Sequence, residues 1–148
     1  TEDSADYQFV LDRLKRKFTT APRYVPKPVT LGRGNCEVGI ISLGSCDGAV
    51  REALDVLSRQ KIDVDYLRVK AFPFTSEVEA FLRDHKLIFV VEQNRDAQLR
   101  SLLTIETAVE KSKLESILSY SGFPMSADPI VNGIRAKLAE TPRLSVIK

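Results

Sequence analysis

The sequence predicts an α/β fold, a three-layer α/β/α sandwich around a mostly parallel, mixed sheet. Three observations carry this. Residues 38–43 and 87–91 are short, nearly uninterrupted apolar runs, the pattern of strands covered on both faces. Amphipathic segments with helical spacing follow the strand-like runs. The resulting order, strand–helix–strand–helix–strand–helix, is that of βαβ units, whose crossovers return parallel strands to one sheet.

Residues 4–19 read as an amphipathic helix with Tyr7, Val10, Leu11, Leu14 and Phe18 on one face and Asp3 or Ser4 at its start. Pro22, Pro26 and Pro28 then impose an extended path, so residues 1–35 are expected to be a helix and Pro-rich arm linking to a preceding domain. Residues 36–148 are expected to form the α/β domain. Val38 to Leu43 is its first strand, ending in Gly44-Ser45, and Asp47 is placed to cap a helix with Val50, Ala53, Leu54 and Leu57 along its stripe. Val64 to Val69 alternates as a second strand. Ala71 to Thr75 forms a turn, and Ser76 with Glu79 has capping-box spacing for a short helix carrying Val78, Phe81 and Leu82. Leu87 to Val91 is the most uniformly apolar strand. A helix over Leu99, Leu102, Leu103 and Ile105 follows, then a weaker helix over Leu114 to Leu118. Asp128 caps a final helix with Pro129 in its first turn and Ile130, Val131, Ile134 and Leu138 facing the core.

Composition narrows the function classes. At 148 residues the chain is one domain, large enough to bury roughly 70% of its unfolded surface. A net charge of +2 and a single basic cluster, Arg13, Lys15, Arg16 and Lys17, argue for a solvated helix face and against a nucleic-acid surface. Cys36 and Cys46, separated by nine residues and lacking a second pair, provide neither a zinc nor an iron–sulfur ligand set nor a disulfide framework. They fit a reducing, cytoplasmic location. No apolar run approaches the roughly 20 residues that span a bilayer, and no membrane partner is expected. The chain starts Thr1-Glu2-Asp3-Ser4, with neither a signal peptide nor an initiator methionine. It is expected to have been cut from a longer protein.

Ligands of open α/β sheets bind beyond the carboxyl ends of the strands. Two such ends are polar here. Gly44-Ser45-Cys46-Asp47-Gly48 has the glycines and hydroxyl of a phosphate cradle but matches no nucleotide motif. A tight turn with Asp47 as cap is the simpler reading, and an anion site at Gly44, Ser45 and Asp47 the alternative. Glu92-Gln93-Asn94-Arg95-Asp96-Ala97-Gln98 crowds charged and amide side chains at the end of an apolar strand. Glu92, Asn94, Arg95 and Gln98 are therefore candidates for an interface, or less readily for a ligand site. No catalytic set emerges. His85 is the only histidine and sits at a helix end, where it favours the helix dipole. Cys46, at a helix start, is placed for a lowered pKa, but no histidine base accompanies it. Ser45 is not in a G-x-S-x-G elbow. No catalytic or metal-binding residue is expected in this chain.

An ordered set of segments resembles one family. Val38-Gly39-Ile40-Ile41-Ser42-Leu43-Gly44-Ser45, Ala71-Phe72-Pro73-Phe74-Thr75, Val90-Val91-Glu92-Gln93-Asn94-Arg95-Asp96-Ala97-Gln98-Leu99 and Tyr120-Ser121-Gly122-Phe123-Pro124 resemble the C-terminal domain of the alpha subunit of 2-oxoacid:ferredoxin oxidoreductases, particularly the 2-oxoglutarate type. Arg13 to Phe18 and the Pro-rich arm look like that family's lead-in. The resemblance implies a transketolase C-terminal-like domain, with one antiparallel edge strand. It further implies a holoenzyme that decarboxylates a 2-oxoacid on thiamine diphosphate and magnesium, reduces ferredoxin through an iron–sulfur cluster, and forms an acyl-coenzyme A. None of these cofactors is expected on this chain alone. The implied partners are upstream domains of the same subunit and a beta subunit, in a homo- or hetero-oligomer. By the same resemblance the isolated chain is inactive and serves packing. The competing expectation is a free-standing flavodoxin-like module binding a nucleotide or anion.

Overall fold

A computed structural model describes residues 3–141; residues 1, 2 and 142–148, which begin the expected arm and close the expected domain, lie outside the described residues. The elements are α1 (Ser4–Thr20), β1 (Val29–Leu31), β2 (Val38–Leu43), α2 (Asp47–Arg59), β3 (Asp65–Val69), α3 (Ser76–Asp84), β4 (Leu87–Glu92), α4 (Gln98–Glu106), β5 (Leu114–Leu118) and α5 (Asp128–Glu140). The strands form one five-stranded sheet in the order β1-β3-β2-β4-β5. β3, β2, β4 and β5 are parallel, and β1 runs antiparallel to β3 with Val29, Thr30 and Leu31 opposite Arg68, Leu67 and Tyr66.

Side-chain alternation along the central strands builds the three layers. Val38 and Ile40 of β2, Tyr66 of β3, and Phe89 and Val91 of β4 face one way and pack with α2 and α5. Ile41, Leu67, Val69, Ile88 and Val90 face the other way and pack with α3 and α4. Each fully buried aliphatic side chain contributes about 1.5–3 kcal/mol, so these two clusters supply most of the drive to fold. Gly39 belongs to the α3 side of β2. A Cβ there would lie 2.7 Å from the Phe81 ring, so α3 seats against bare backbone.

The mixed α/β sandwich and its antiparallel edge agree with the sequence expectation, with four local corrections. Leu114–Leu118 is strand β5, not a helix. Leu114 and Ile117, three residues apart, suggest a helical face, but they enter opposite cores, as an odd spacing does in a strand. Three residues of the expected arm, Val29–Leu31, form the edge strand, with Leu31 packed on the α2 side. Lys27 reaches Glu77 of α3 at 2.7 Å, but the pair faces solvent, where screening leaves an ion pair little worth. The β1 ladder and Leu31 therefore hold the arm.

The other corrections concern helix starts. Ser76 is inside α3 and Thr75 holds the cap position, so the Ser76–Glu79 capping box does not form; Ser76 Oγ instead points to Glu77 at 3.4 Å. Asp128 lies in the first turn of α5 behind Ala127 and makes no side-chain cap, though Pro129 sits where expected. At α1, Asp3 is the cap, accepting from the amides of Ala5 and Asp6 at 2.8 and 3.1 Å.

Asp65 is a buried carboxylate at the amino end of β3. It accepts from the amides of Gly34 and Cys36 at 2.8 and 2.9 Å and faces His85 Nε2 at 3.3 Å. His85 is itself buried, with Nδ1 donating to the Phe81 carbonyl at 2.7 Å, so it does bond the end of α3 as its position suggested. Gly32, at φ +113°, turns the chain where a Cβ would strike Asp65 Oδ1 at 2.3 Å. One carboxylate thus fastens the loop 32–36 to the sheet and to α3. Burial pushes the Asp65 carboxyl up, but the two amides and the His85 ring outweigh it and hold it below its ordinary 3.8. A depressed folded value means that this stabilisation is fully present above about pH 4 and is lost as pH falls through the lower folded value. Asp65→Asn is expected to cost about 3 kcal/mol at pH 7 and to flatten the acid limb of stability below pH 4. Urea melts from pH 2 to 7 check this; an acid limb identical to wild type would contradict it.

Candidate functional site

The sheet changes direction between β2 and β4. The crossover through α2 carries the chain outward to β3, and the crossover through α3 returns it past β2 to β4. The carboxyl ends of β2 and β4 therefore flank the topological switch point, where open α/β sheets form their crevices. Both polar turns picked out from the sequence meet here. Ser45 Oγ, just after β2, donates to Gln93 Oε1, just after β4, at 2.6 Å. Ser45, Gln93 and the segment 119–124 after β5 line an open cleft of about 510 Å³. Tyr120 and Phe123 are 66% and 76% exposed on its rim.

The turn after β4 is built around Glu92. Period-two alternation puts residue 92 on the same face as Ile88 and Val90, so its side chain turns inward toward α4. It is 3% exposed. Oε2 accepts from the Leu99 amide at 2.6 Å and from Asn94 Nδ2 at 2.8 Å, and Oε1 from the Arg100 amide at 3.1 Å. A carboxylate in the first turn of a helix meets otherwise unpaired amides and the positive end of the dipole. Asn94 Oδ1 closes the turn by accepting from the amides of Asp96 and Gln98 at 3.0 and 3.2 Å. Ala97, at φ 51°, enters α4 from the left-handed region.

The four interface candidates therefore separate. Glu92 is not available to a partner, because both its oxygens are spent on α4 and the turn. Asn94 is a turn-forming residue for the same reason. Arg95 and Gln98 remain on the surface, Arg95 pairing with its neighbour Asp96 at 2.8 Å.

The three anion-site candidates lie together but do not form a cradle. Gly44 begins a 3-10 turn at φ +67°, and Ser45 is committed to Gln93. Asp47 is not the cap of α2, whose cap position is Cys46 without a side-chain hydrogen bond. Its Oδ1 accepts from Tyr66 at 3.0 Å, and Oδ2 from Arg51 at 3.0 Å and Arg68 at 3.4 Å. Ser42 lies 2.7 Å from the same tyrosine oxygen, and Arg68 also reaches the Gly44 carbonyl at 3.2 Å. Burial raises the Asp47 carboxyl, but Arg51, Tyr66 and Arg68 together hold it below its ordinary value. It thus places a charged carboxylate, not a free donor, beside the turn.

Cys46 is buried, and burial pushes its thiol up, opposite to the lowered value its place at a helix start suggested. Burial and then Asp65 push Cys36 up to about 11. Neither is an activated nucleophile at neutral pH. Among the described residues no group of three or more His, Cys, Asp or Glu could hold a metal ion. Cys36 and Cys46 also lie at opposite ends of β2, so these residues do not fit an iron–sulfur cluster. No helix among the described residues is long and apolar enough to cross a membrane.

Gln93, Tyr120 and Phe123 were not singled out as site residues from the sequence. The signal for Gln93 was available, since it follows β4, whereas that for Tyr120 and Phe123 was hidden as long as Leu114–Leu118 read as a helix. The partnership of Asp65 with His85 also went unread, although a carboxylate at an inward position of an apolar strand calls for a buried partner.

The fold and this edge define the chain as an α/β domain of transketolase-like type. It superposes on a split-gene transketolase with a TM-score of 0.57 over 76% of its length, covering 42% of that chain at 16% identity, a likeness of fold alone. No protein-family model matches the chain. The family resemblance is supported by relatives. The chain is 26% identical over 99% of its length to a 2-oxoacid:ferredoxin oxidoreductase subunit alpha from Saccharolobus solfataricus, of which it covers 24%. It superposes with a TM-score of 0.81 on the 2-oxoglutarate:ferredoxin oxidoreductase from Magnetococcus marinus, at 25% identity, covering 93% of this chain and 24% of that one. The chain thus spans about a quarter of the length of these relatives and is similar to one domain's worth of them.

Glu92→Gln is expected to destabilise the chain by about 2 kcal/mol, because the amide keeps one acceptor oxygen but turns an NH₂ toward backbone donors. Thermal melts measure the loss. A change below about 0.5 kcal/mol, the usual range for a surface substitution, would contradict the role given to Glu92.

Proposed function

We propose that the chain is a C-terminal, non-catalytic domain of the alpha subunit of a thiamine-diphosphate-dependent 2-oxoacid:ferredoxin oxidoreductase, 2-oxoglutarate being the expected substrate. The observation that carries this is similarity over 99% of the chain to such an alpha subunit. The fold match to a 2-oxoglutarate enzyme adds support. The local chemistry is compatible with it. The one histidine, the two cysteines and the buried carboxylates are occupied by the fold, while exposed Arg95, Gln98, Tyr120 and Phe123 lie on the carboxyl edge of the sheet. In this reading that edge packs against the rest of the subunit or the beta subunit. Thiamine diphosphate, magnesium, the iron–sulfur cluster and coenzyme A are held elsewhere in a cytoplasmic assembly that delivers electrons to ferredoxin.

The test uses the enzyme that contains this chain. Arg95→Ala with Gln98→Ala is expected to weaken assembly by about tenfold, the effect of losing roughly 1.4 kcal/mol of interface, and to lower 2-oxoacid-dependent ferredoxin reduction in parallel. If assembly and activity both match wild type, Arg95 and Gln98 are not interface residues. The isolated chain is expected to reduce no ferredoxin. Calorimetry separates the competing module: tight binding of flavin mononucleotide or ATP by the isolated chain would overturn the proposal.

A further inference from the structure

We propose that α1 is a self-association element, whose exposed apolar face pairs antiparallel with α1 of a second copy of this chain. α1 has 17 residues and none is buried. Tyr7, Leu11, Leu14 and Phe18 are 58%, 46%, 41% and 59% exposed. The two core clusters are complete without a single α1 side chain. A solitary helix of this length is marginal in water, and its stability ordinarily comes from covering its apolar face.

The spacing of that face suits another helix. Tyr7, Leu11, Leu14 and Phe18 recur at intervals of four, three and four residues, the seam of a two-helix coiled coil. Val10 widens it on one side. Charge then selects the occupant and its direction. Acidic Asp6 lies toward the start of α1, and Arg13, Lys15, Arg16 and Lys17 toward its end. Helical geometry puts Asp6 and Lys17 on the same flank of the seam. In an antiparallel pair that sets Leu11 against Leu14 of the second copy and Tyr7 against its Phe18, Asp6 falls beside the second copy's Lys17, and the reverse pair forms by symmetry. A parallel pair would instead stack the basic ends on each other, which is repulsive. The face is thus self-complementary in one orientation. The seam from Tyr7 to Phe18 covers fewer than two heptads, so the association is weak. The inference stands on the bare face of α1 and not on the family reading, so each can fail without the other.

Sedimentation velocity from about 1 to about 100 µM, the span of weak association, tests it. The expected result is a passage from monomer to dimer within that range. Leu11→Asp with Leu14→Asp is expected to weaken dimerisation by at least about tenfold while the thermal melt of the body is unchanged, since no α1 residue enters the core. Asp6→Lys and Lys17→Asp are each expected to weaken the dimer, and the double exchange to restore it. A chain that stays monomeric at every concentration would overturn the proposal and leave the face to some other partner. A dimer indifferent to the seam variant, or one that the double exchange fails to restore, would equally overturn it.

Discussion

The carboxylate of Glu92 sets the shape of the carboxyl edge of the sheet. A charge buried at the end of an apolar central strand carries a desolvation cost of several kcal/mol unless donors surround it. Here the donors are the Leu99 and Arg100 amides and the Asn94 side chain, all within 3.1 Å. These bonds join the middle of the sheet to the start of α4 and fix the path of residues 93–98. Gln93 is thereby held where it meets Ser45, and both residues line the cleft at the switch point. At the opposite edge Asp65 does the same for the loop 32–36. Two buried carboxylates, one in β3 and one in β4, both facing the α3–α4 layer, fasten both ends of the sheet to its connections.

Much of this was legible in the sequence, and the failures share a cause. β2, α2, β3, α3 and β4 follow from apolar periodicity, because packing a sheet between helix layers imposes it directly. β5 was misread because Leu114 and Ile117 satisfy a helical spacing, and only pairing with β4 makes them face opposite cores. Asp47, Ser76 and Asp128 were read as caps because local chemistry allows it, whereas tertiary partners or a shift of one residue in the helix start decided otherwise. Tyr66, Arg51 and Arg68, which claim Asp47, are up to 21 residues away. Residues 92–98 were read as one cluster and not divided. Strand alternation, extended by one residue from Val91, was enough to show that Glu92 points inward.

That division bears on function. A polar strand end is ambiguous between a ligand site, an interface and a structural turn. Here the inward residues Glu92 and Asn94 build the turn, and the outward residues Arg95 and Gln98 are left on the surface. Exposed aromatic side chains, Tyr120 and Phe123, and an exposed cation, Arg95, are residue types that docking surfaces favour. The relatives are much larger, and this chain is similar to about a quarter of their length. α1, with its apolar face outside both cores, is a second surface of this kind at the other end of the chain.

The central claim is that Glu92 makes the start of α4 part of the sheet's own structure. Amide hydrogen exchange at Leu99 and Arg100 tests this most directly. First-turn helix amides ordinarily lack intrahelical partners and exchange quickly. The account predicts protection of these two amides comparable to that of Ile88 to Val91 in β4. Exchange at the fast rate of an uncapped helix start would contradict it.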